Sequence, residues 1–182
     1  MSLTLRVPAS KNDHFLGPLH APVVLVEYGD YECPYSAVAA PVLERLIQEY
    51  KSSLCLVFRH YPLKALHSQS EYAALAAEAA DRQGKFWQMH KLLFQNYDSI
   101  TLEKIDRLAI ELDLNMNLFH RDIERREIKA KVEHDFLTGV QSEVNATPSI
   151  FINDLRYEGS SSYWPLRESI EKNLSGGESA YF

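Results

Sequence analysis

The sequence predicts an α/β protein in which a block of helices interrupts a small sheet. Three observations carry this. A β-branched apolar run, Val23-Val24-Leu25-Val26-Glu27-Tyr28, an amphipathic stretch and a second apolar run, Leu54 to His60, read as strand, helix and strand. From Ser68 to Val144 the pattern is helical throughout. Strand signals then return at Pro148-Ser149-Ile150-Phe151-Ile152.

The elements are justified in chain order. Residues 1–20 read as a loose lead-in, with a turn signal around Gly17-Pro18. The run at 23–28 is short and apolar enough for a buried strand. Over 34–50 the helical period places Val38, Val42, Leu43, Leu46, Ile47 and Tyr50 on one face, and Pro41 predicts a kink. Residues 54–60 form the next strand, parallel to the first because a helix connects them. Ala73 to Ala80 is rich in helix formers, and Gly84 ends that run. Phe86 to Phe94 is a second, apolar helix, with its aromatic side chains assigned to core. Thr101 is an N-cap for a helix over 102–112. Helices near 117–124 and 127–143 follow, the latter carrying Ile128, Val132, Phe136 and Val140. Asn153-Asp154 predicts a tight turn into a returning strand, Leu155 to Glu158. A helix over 162–174 and a fraying tail from 175 complete the chain.

Composition limits the function classes. The chain has 182 residues, 46% hydrophobic and 24% charged, as in ordinary globular proteins. A formal charge of −6 opposes a nucleic-acid or anionic-membrane partner, since both need a basic footprint. No apolar run reaches the length of a membrane span. Cys33 and Cys55 are too few for a disulfide framework, and the seven histidines are scattered without zinc spacing, so no metal is expected. No secretory signal is visible, so the expected compartment is cytoplasmic as the chain stands, or extracytoplasmic if a signal has been removed.

The chemistry concentrates at Cys33. It lies where a strand's C-terminal end meets a helix N-terminus, and Pro34 suits the first helical turn. Unpaired N–H groups there favour thiolate, the form that attacks disulfides. Ser36 stands three positions on, and its hydroxyl is placed to hydrogen-bond the thiolate from the next helical turn. Glu27 is a glutamate inside an apolar strand pointing at the thiol, a candidate for proton transfer or for tuning the sulfur. Cys55 begins its strand, some five residues at about 3.3 Å each from the reactive end, so it is inert core rather than a resolving thiol. His60 and His67 are assigned structural or surface roles.

Together these residues carry a family likeness. Val23 to Pro34, Phe58-Arg59-His60-Tyr61-Pro62-Leu63, Gly84-Lys85-Phe86-Trp87 and Thr147-Pro148, in that order, resemble bacterial members of the DsbA-like branch of the thioredoxin superfamily. The likeness spans about residues 14 to 174. It implies a thioredoxin-like fold with an inserted α-helical domain: 14–66 and 144–174 as the discontinuous thioredoxin-like part, 67–143 as the insert, and 1–13 and 175–182 as flexible termini. It implies Cys33 as the nucleophile, Pro148 as the cis-proline, and Pro34, Tyr35, Thr147 and Pro148 as the substrate-binding residues. The departure is Ser36, where the family keeps a resolving cysteine. Three readings stay open: a substitution that traps mixed disulfides, a natural monothiol form, or lost redox function.

The expected activity is therefore thiol–disulfide exchange through one cysteine, on protein or small-molecule disulfides, with release by an external thiol. No bound cofactor is expected, and glutathione is the candidate co-substrate. The alternatives are a glutathione-dependent kappa-type isomerase or transferase, and a non-redox peptide-binding or chaperone module.

Overall fold

The structure is a computed structural model and describes residues 3–176. Strand β1 covers His14–Leu16, β2 Val23–Gly29, β3 Leu54–His60, β4 Ser149–Ile152 and β5 Leu155–Arg156. They form one sheet in the order β1-β3-β2-β4-β5. Only β2 and β3 are parallel; the other pairs are antiparallel. Helix α1 (Pro34–Tyr50) connects the parallel pair, and α7 (Tyr163–Gly176) follows the sheet. Between β3 and β4 run α2 (Ser70–Asp81), α3 (Phe86–Gln95), α4 (Leu102–Glu111), α5 (Met116–Ile123) and α6 (Arg126–Gln141). This is the mixed α/β, thioredoxin-like architecture expected from the sequence.

Alternation along β2 and β3 divides the core in two. Val23, Leu25, Leu54 and Leu56 pack with Leu43, Leu46 and Ile47 of α1 and with Leu166 and Ile170 of α7. Val26, Tyr28, Cys55 and Val57 face the other way, toward Tyr61, Val144 and Leu5. Period-two geometry thus covers the sheet on both sides. On the second side Gly139 lets α6 approach closely: a Cβ there would lie 2.6 Å from the Tyr61 ring and 3.1 Å from that of Tyr28.

The insert has its own core around α2. Ala73, Ala74, Ala76, Ala77, Ala79 and Ala80 are all buried, and α2 packs against α3, α4, α5 and α6. A helix surrounded on so many sides has room for little beyond methyl groups. The insert is tied to the sheet by polar contacts. The backbone N–H of His60 donates to Asp135 Oδ2 of α6 at 3.2 Å, and the Tyr28 hydroxyl meets Thr138 Oγ1 at 3.0 Å.

Two expectations need correcting. The lead-in is not loose. Leu5 is buried, Thr4 bridges to Leu155, and His14–Leu16 adds an antiparallel edge strand to β3. Arg59 explains this anchoring. It lies on the face that residues 5–13 cover, buried, and its guanidinium donates to both Asp13 carboxylate oxygens, at 2.8 and 3.1 Å, and to the carbonyls of Val7 and Pro8. A buried charge needs such saturation. The apolar stripe of α1 is also displaced. Its buried residues are Ser36, Ala39, Leu43, Leu46 and Ile47, while Val38 is 67% exposed. Ser36 and Ala39, on either side of Val38, are fully buried, so the first turns of α1 are covered and Val38 lies off the buried stripe, on the outer side of the helix. The part of the expected fraying tail beyond 176 lies outside the described residues.

Candidate active site

Cys33 is the N-cap of α1, with extended backbone, and Pro34 opens the helix. The turn before it is held by one buried carboxylate. Asp30 Oδ1 accepts from the Glu32 N–H at 2.9 Å, and Oδ2 accepts from the Leu63 N–H at 2.8 Å. His67 Nδ1 lies 2.9 Å from the same Oδ2. Glu32 in turn accepts from the Gln69 N–H at 2.6 Å. The loop after β3 therefore clamps the reactive turn. His67 belongs to that clamp, and Asp30 is a positioning residue that reading the sequence for chemistry overlooks.

Cys33 and the proline loop come together. The thiol donates to the Thr147 carbonyl, Sγ to O 3.1 Å, and the Thr147–Pro148 peptide is cis. Cys33 is 4% exposed. Tyr35 and Val38, in the first turns of α1, are 73% and 67% exposed, apolar surface on the helix that Cys33 caps.

Ser36 is fully buried, and its hydroxyl has no hydrogen-bond partner. The expected hydroxyl–sulfur bond is not formed, because the sulfur faces the Thr147 carbonyl instead. Thr147 Oγ1 is likewise buried and unpartnered. Cys55 is fully buried in register with Val24 at the start of β3, and burial pushes its thiol up to about 11.

Glu27 is buried in register between Phe58 of β3 and Ile150 of β4. Both neighbours are apolar, its Oε1 has no partner, and burial pushes its carboxyl up to about 8. No hydrogen bond links it to Cys33 or Ser36. It lines a cleft of about 180 Å³ between α1 and α3, with Ala37, Ala40 and Pro41 on one side and Trp87 and His90 on the other. Burial also lowers His90 to about 3, so its ring is neutral, and its Nδ1 lies 3.0 Å from the Tyr31 hydroxyl, itself held protonated by burial.

One cluster escapes sequence spacing altogether. His14, His60 and Glu78 are far apart in the chain, yet β1, β3 and α2 bring them together. Burial alone would raise Glu78; hydrogen bonds from His14 and His60 outweigh it and hold the carboxyl well below the usual range. The cluster forms only when β1 lies against β3 and α2 packs over them, and a three-residue strand leaves no mark of that in the sequence.

A sheet with one parallel pair, a helix-capping cysteine and a cis-proline loop touching its sulfur define a thioredoxin-fold protein. The sequence profile described as Thioredoxin matches residues 9–172, and the chain belongs to that family. Among solved structures it is similar to BdbD from Bacillus subtilis, with TM-score 0.83 and 27% identity over 96% of this chain and 99% of that one. It is similar too to a thioredoxin-like oxidoreductase from Silicibacter pomeroyi, with TM-score 0.79 and 27% identity over 91% and 94%. The α-DsbA1 of Wolbachia pipientis, at 21% identity and TM-score 0.80, shares the fold over 93% of this chain and 94% of that one. The fold is thus the one that the DsbA-like structures share. Curated relatives include Na(+)/H(+) antiporter NhaA 3 of Salinispora tropica, 39% identical over 86% of this chain but 24% of its own length. The antiporter NhaA of Herminiimonas arsenicoxydans is 35% identical over 81% of the chain and 23% of its own length. The chain thus spans about a quarter of the length of these relatives. No described helix is long and apolar enough to cross a membrane.

Proposed function

We propose that the chain exchanges disulfides through Cys33 alone. The Cys33 thiolate attacks one sulfur of a substrate disulfide, giving a Cys33–substrate mixed disulfide and expelling the other sulfur as thiolate. An external thiol such as glutathione then attacks the substrate sulfur. It leaves with the substrate as a new disulfide, and Cys33 recovers its proton. The observation that carries the reading is the Sγ contact with the cis-proline loop, at a site where Ser36 fills the resolving position. Cys55 offers no substitute, being buried at the far end of the parallel pair.

Substrate docks on the start of α1 and the cis-proline loop. Tyr35 and Val38 present apolar surface to an extended segment, and Thr147 and Pro148 present backbone to it. The idle hydroxyls of Ser36 and Thr147 are available to the mixed disulfide. Glu27 holds a proton under α1 up to about pH 8, and the cleft gives it a route to solvent.

The test pairs two variants. With oxidised glutathione the chain as given takes up one glutathione on Cys33, read by intact mass, and Cys33→Ser takes up none. In insulin reduction Ser36→Cys gains turnover of about tenfold or more, because the second thiol resolves the adduct internally. No adduct on Cys33 refutes the reading. Peptide binding equal in the chain as given and in Cys33→Ser, without any adduct, establishes the binding module instead.

A further inference from the structure

A second polar cluster lies on the far side of β3 from Arg59. Nε2 of His14 and Nε2 of His60 lie 2.8 and 2.9 Å from the same oxygen, Oε1 of Glu78. One donor atom from each of the three residues falls within 4.8 Å of the others. Two imidazole nitrogens and one carboxylate oxygen form a donor set that suits zinc and its neighbours in the first transition row.

The surroundings hold this set in place. The His14 ring stacks on Phe86, centroids 3.4 Å apart and planes 9° from parallel, which fixes the direction of its Nε2. Its other nitrogen, Nδ1, lies 3.8 Å from Asp81 Oδ1. At 3.8 Å this is a charge contact and not a hydrogen bond; a closer approach would make Asp81 the usual carboxylate support of a metal-bound histidine. A polar hollow lined by Asp13, His14, Asp81 and Gln88 opens beside the cluster and gives an ion a way in.

We propose that His14, His60 and Glu78 form a binding site for a divalent transition-metal ion of the zinc type. Bonds of about 2.0–2.2 Å in tetrahedral geometry place neighbouring donors about 3.3 Å apart. The two nitrogen–oxygen separations need to open by about 0.5 Å, and the two nitrogens, within 4.8 Å of each other, need to settle at about the same 3.3 Å. On binding, Nε2 of each ring is freed for the ion: a neutral ring carries its proton on Nδ1 instead, and an imidazolium gives up its Nε2 proton to solvent. The imidazoles then coordinate as neutral ligands and Glu78 as carboxylate, with water in the fourth position. The ion fastens β1, β3 and α2 together, so it joins the sheet edge to the first helix of the insert.

The proposal is tested on Cys33→Ser, so that the active-site thiol cannot serve as a ligand, after removal of metal by chelation. Cobalt(II) chloride binds at one equivalent with the visible bands of four-coordinate cobalt, and zinc(II) displaces it. His14→Ala and Glu78→Gln each weaken zinc affinity by about tenfold or more, with far-ultraviolet circular dichroism confirming that the chains are folded. His14 sits on a three-residue edge strand, so its replacement spares the core; should it nonetheless unfold the chain, Glu78→Gln, which keeps an oxygen acceptor for both imidazoles, decides alone. Absence of one-equivalent binding overturns the proposal, and so does an affinity unchanged in the folded variants.

Discussion

Glu27 shows how much one residue's setting decides. On the strand it could have been a solvated edge residue. The pairing of β2 between β3 and β4 instead presses it between Phe58 and Ile150 with no donor for Oε1. Its native carboxyl titrates at about 8, whereas an unfolded glutamate titrates near 4.5. Between those values the native state binds the extra proton, so stability falls as pH rises from about 4.5 and levels off above about 8. The loss totals on the order of a few kcal/mol, since each pH unit of difference is worth about 1.4 kcal/mol. Glu27→Gln keeps the shape and removes the charge. Its urea midpoint should match that of the unmodified chain near pH 5, exceed it near pH 9, and vary far less between. A parallel alkaline decline in both proteins would place the cause elsewhere.

At the scale of elements, most of the chain is legible because each signal is local. Thr101 accepts from the Lys104 N–H as an N-cap should, and Asn153 and Asp154 take positive φ, 47° and 65°, in the turn between β4 and β5. What escapes is what only the assembled sheet decides. A three-residue strand before Gly17 carries no period of its own, and β1 exists because β3 leaves an edge open. Val38 belongs to a broad apolar face by period, yet the stripe that packs is the one through Ser36, Ala39, Leu43, Leu46 and Ile47, and Val38 falls outside it. In the same way Cys33, Ser36 and Thr147–Pro148 are readable as a site, whereas the partners of Ser36 depend on where the sulfur turns. The alanines of α2 show the reverse case, a helix-forming run whose real determinant is space. Ala77→Leu adds three carbons to a position with no exposure, enclosed by the insert's helices. Overpacking of that kind costs about 1–3 kcal/mol, and the urea midpoint should fall accordingly with the slope unchanged. A neutral Ala77→Leu would mean that the insert core holds unfilled volume.

For the whole molecule, two of the buried carboxylates that join its parts titrate low. Asp13 binds the lead-in to β3 through Arg59, and Glu78 binds α2 to β1 and β3 through two histidines. Burial opposes ionisation at each; hydrogen bonds and charge from Arg59, and hydrogen bonds from His14 and His60, outweigh it. A carboxyl whose native pKa is depressed contributes stability that is complete above its unfolded value and is lost as pH falls through its native one. The window therefore opens below about pH 4. Acid should unfasten the lead-in and the insert before it dissolves the apolar cores, which carry no titrating group of this kind. Hydrogen exchange at pH 3, with chelator present so that no metal ion contributes, should show β1 and α2 losing protection ahead of β2 and β4. Glu78→Gln removes one of the two fastenings at every pH. Its stability near pH 6 should fall by about 1.5–3 kcal/mol, the range for hydrogen bonds to a charged group. Its further loss between pH 5 and pH 3 should be smaller than that of the unmodified chain, because one of the two titrations is gone. An acid limb of undiminished steepness in Glu78→Gln would mean that Glu78 is not the titrating fastening, and that packing and the Asp135 and Thr138 contacts hold the insert to the sheet.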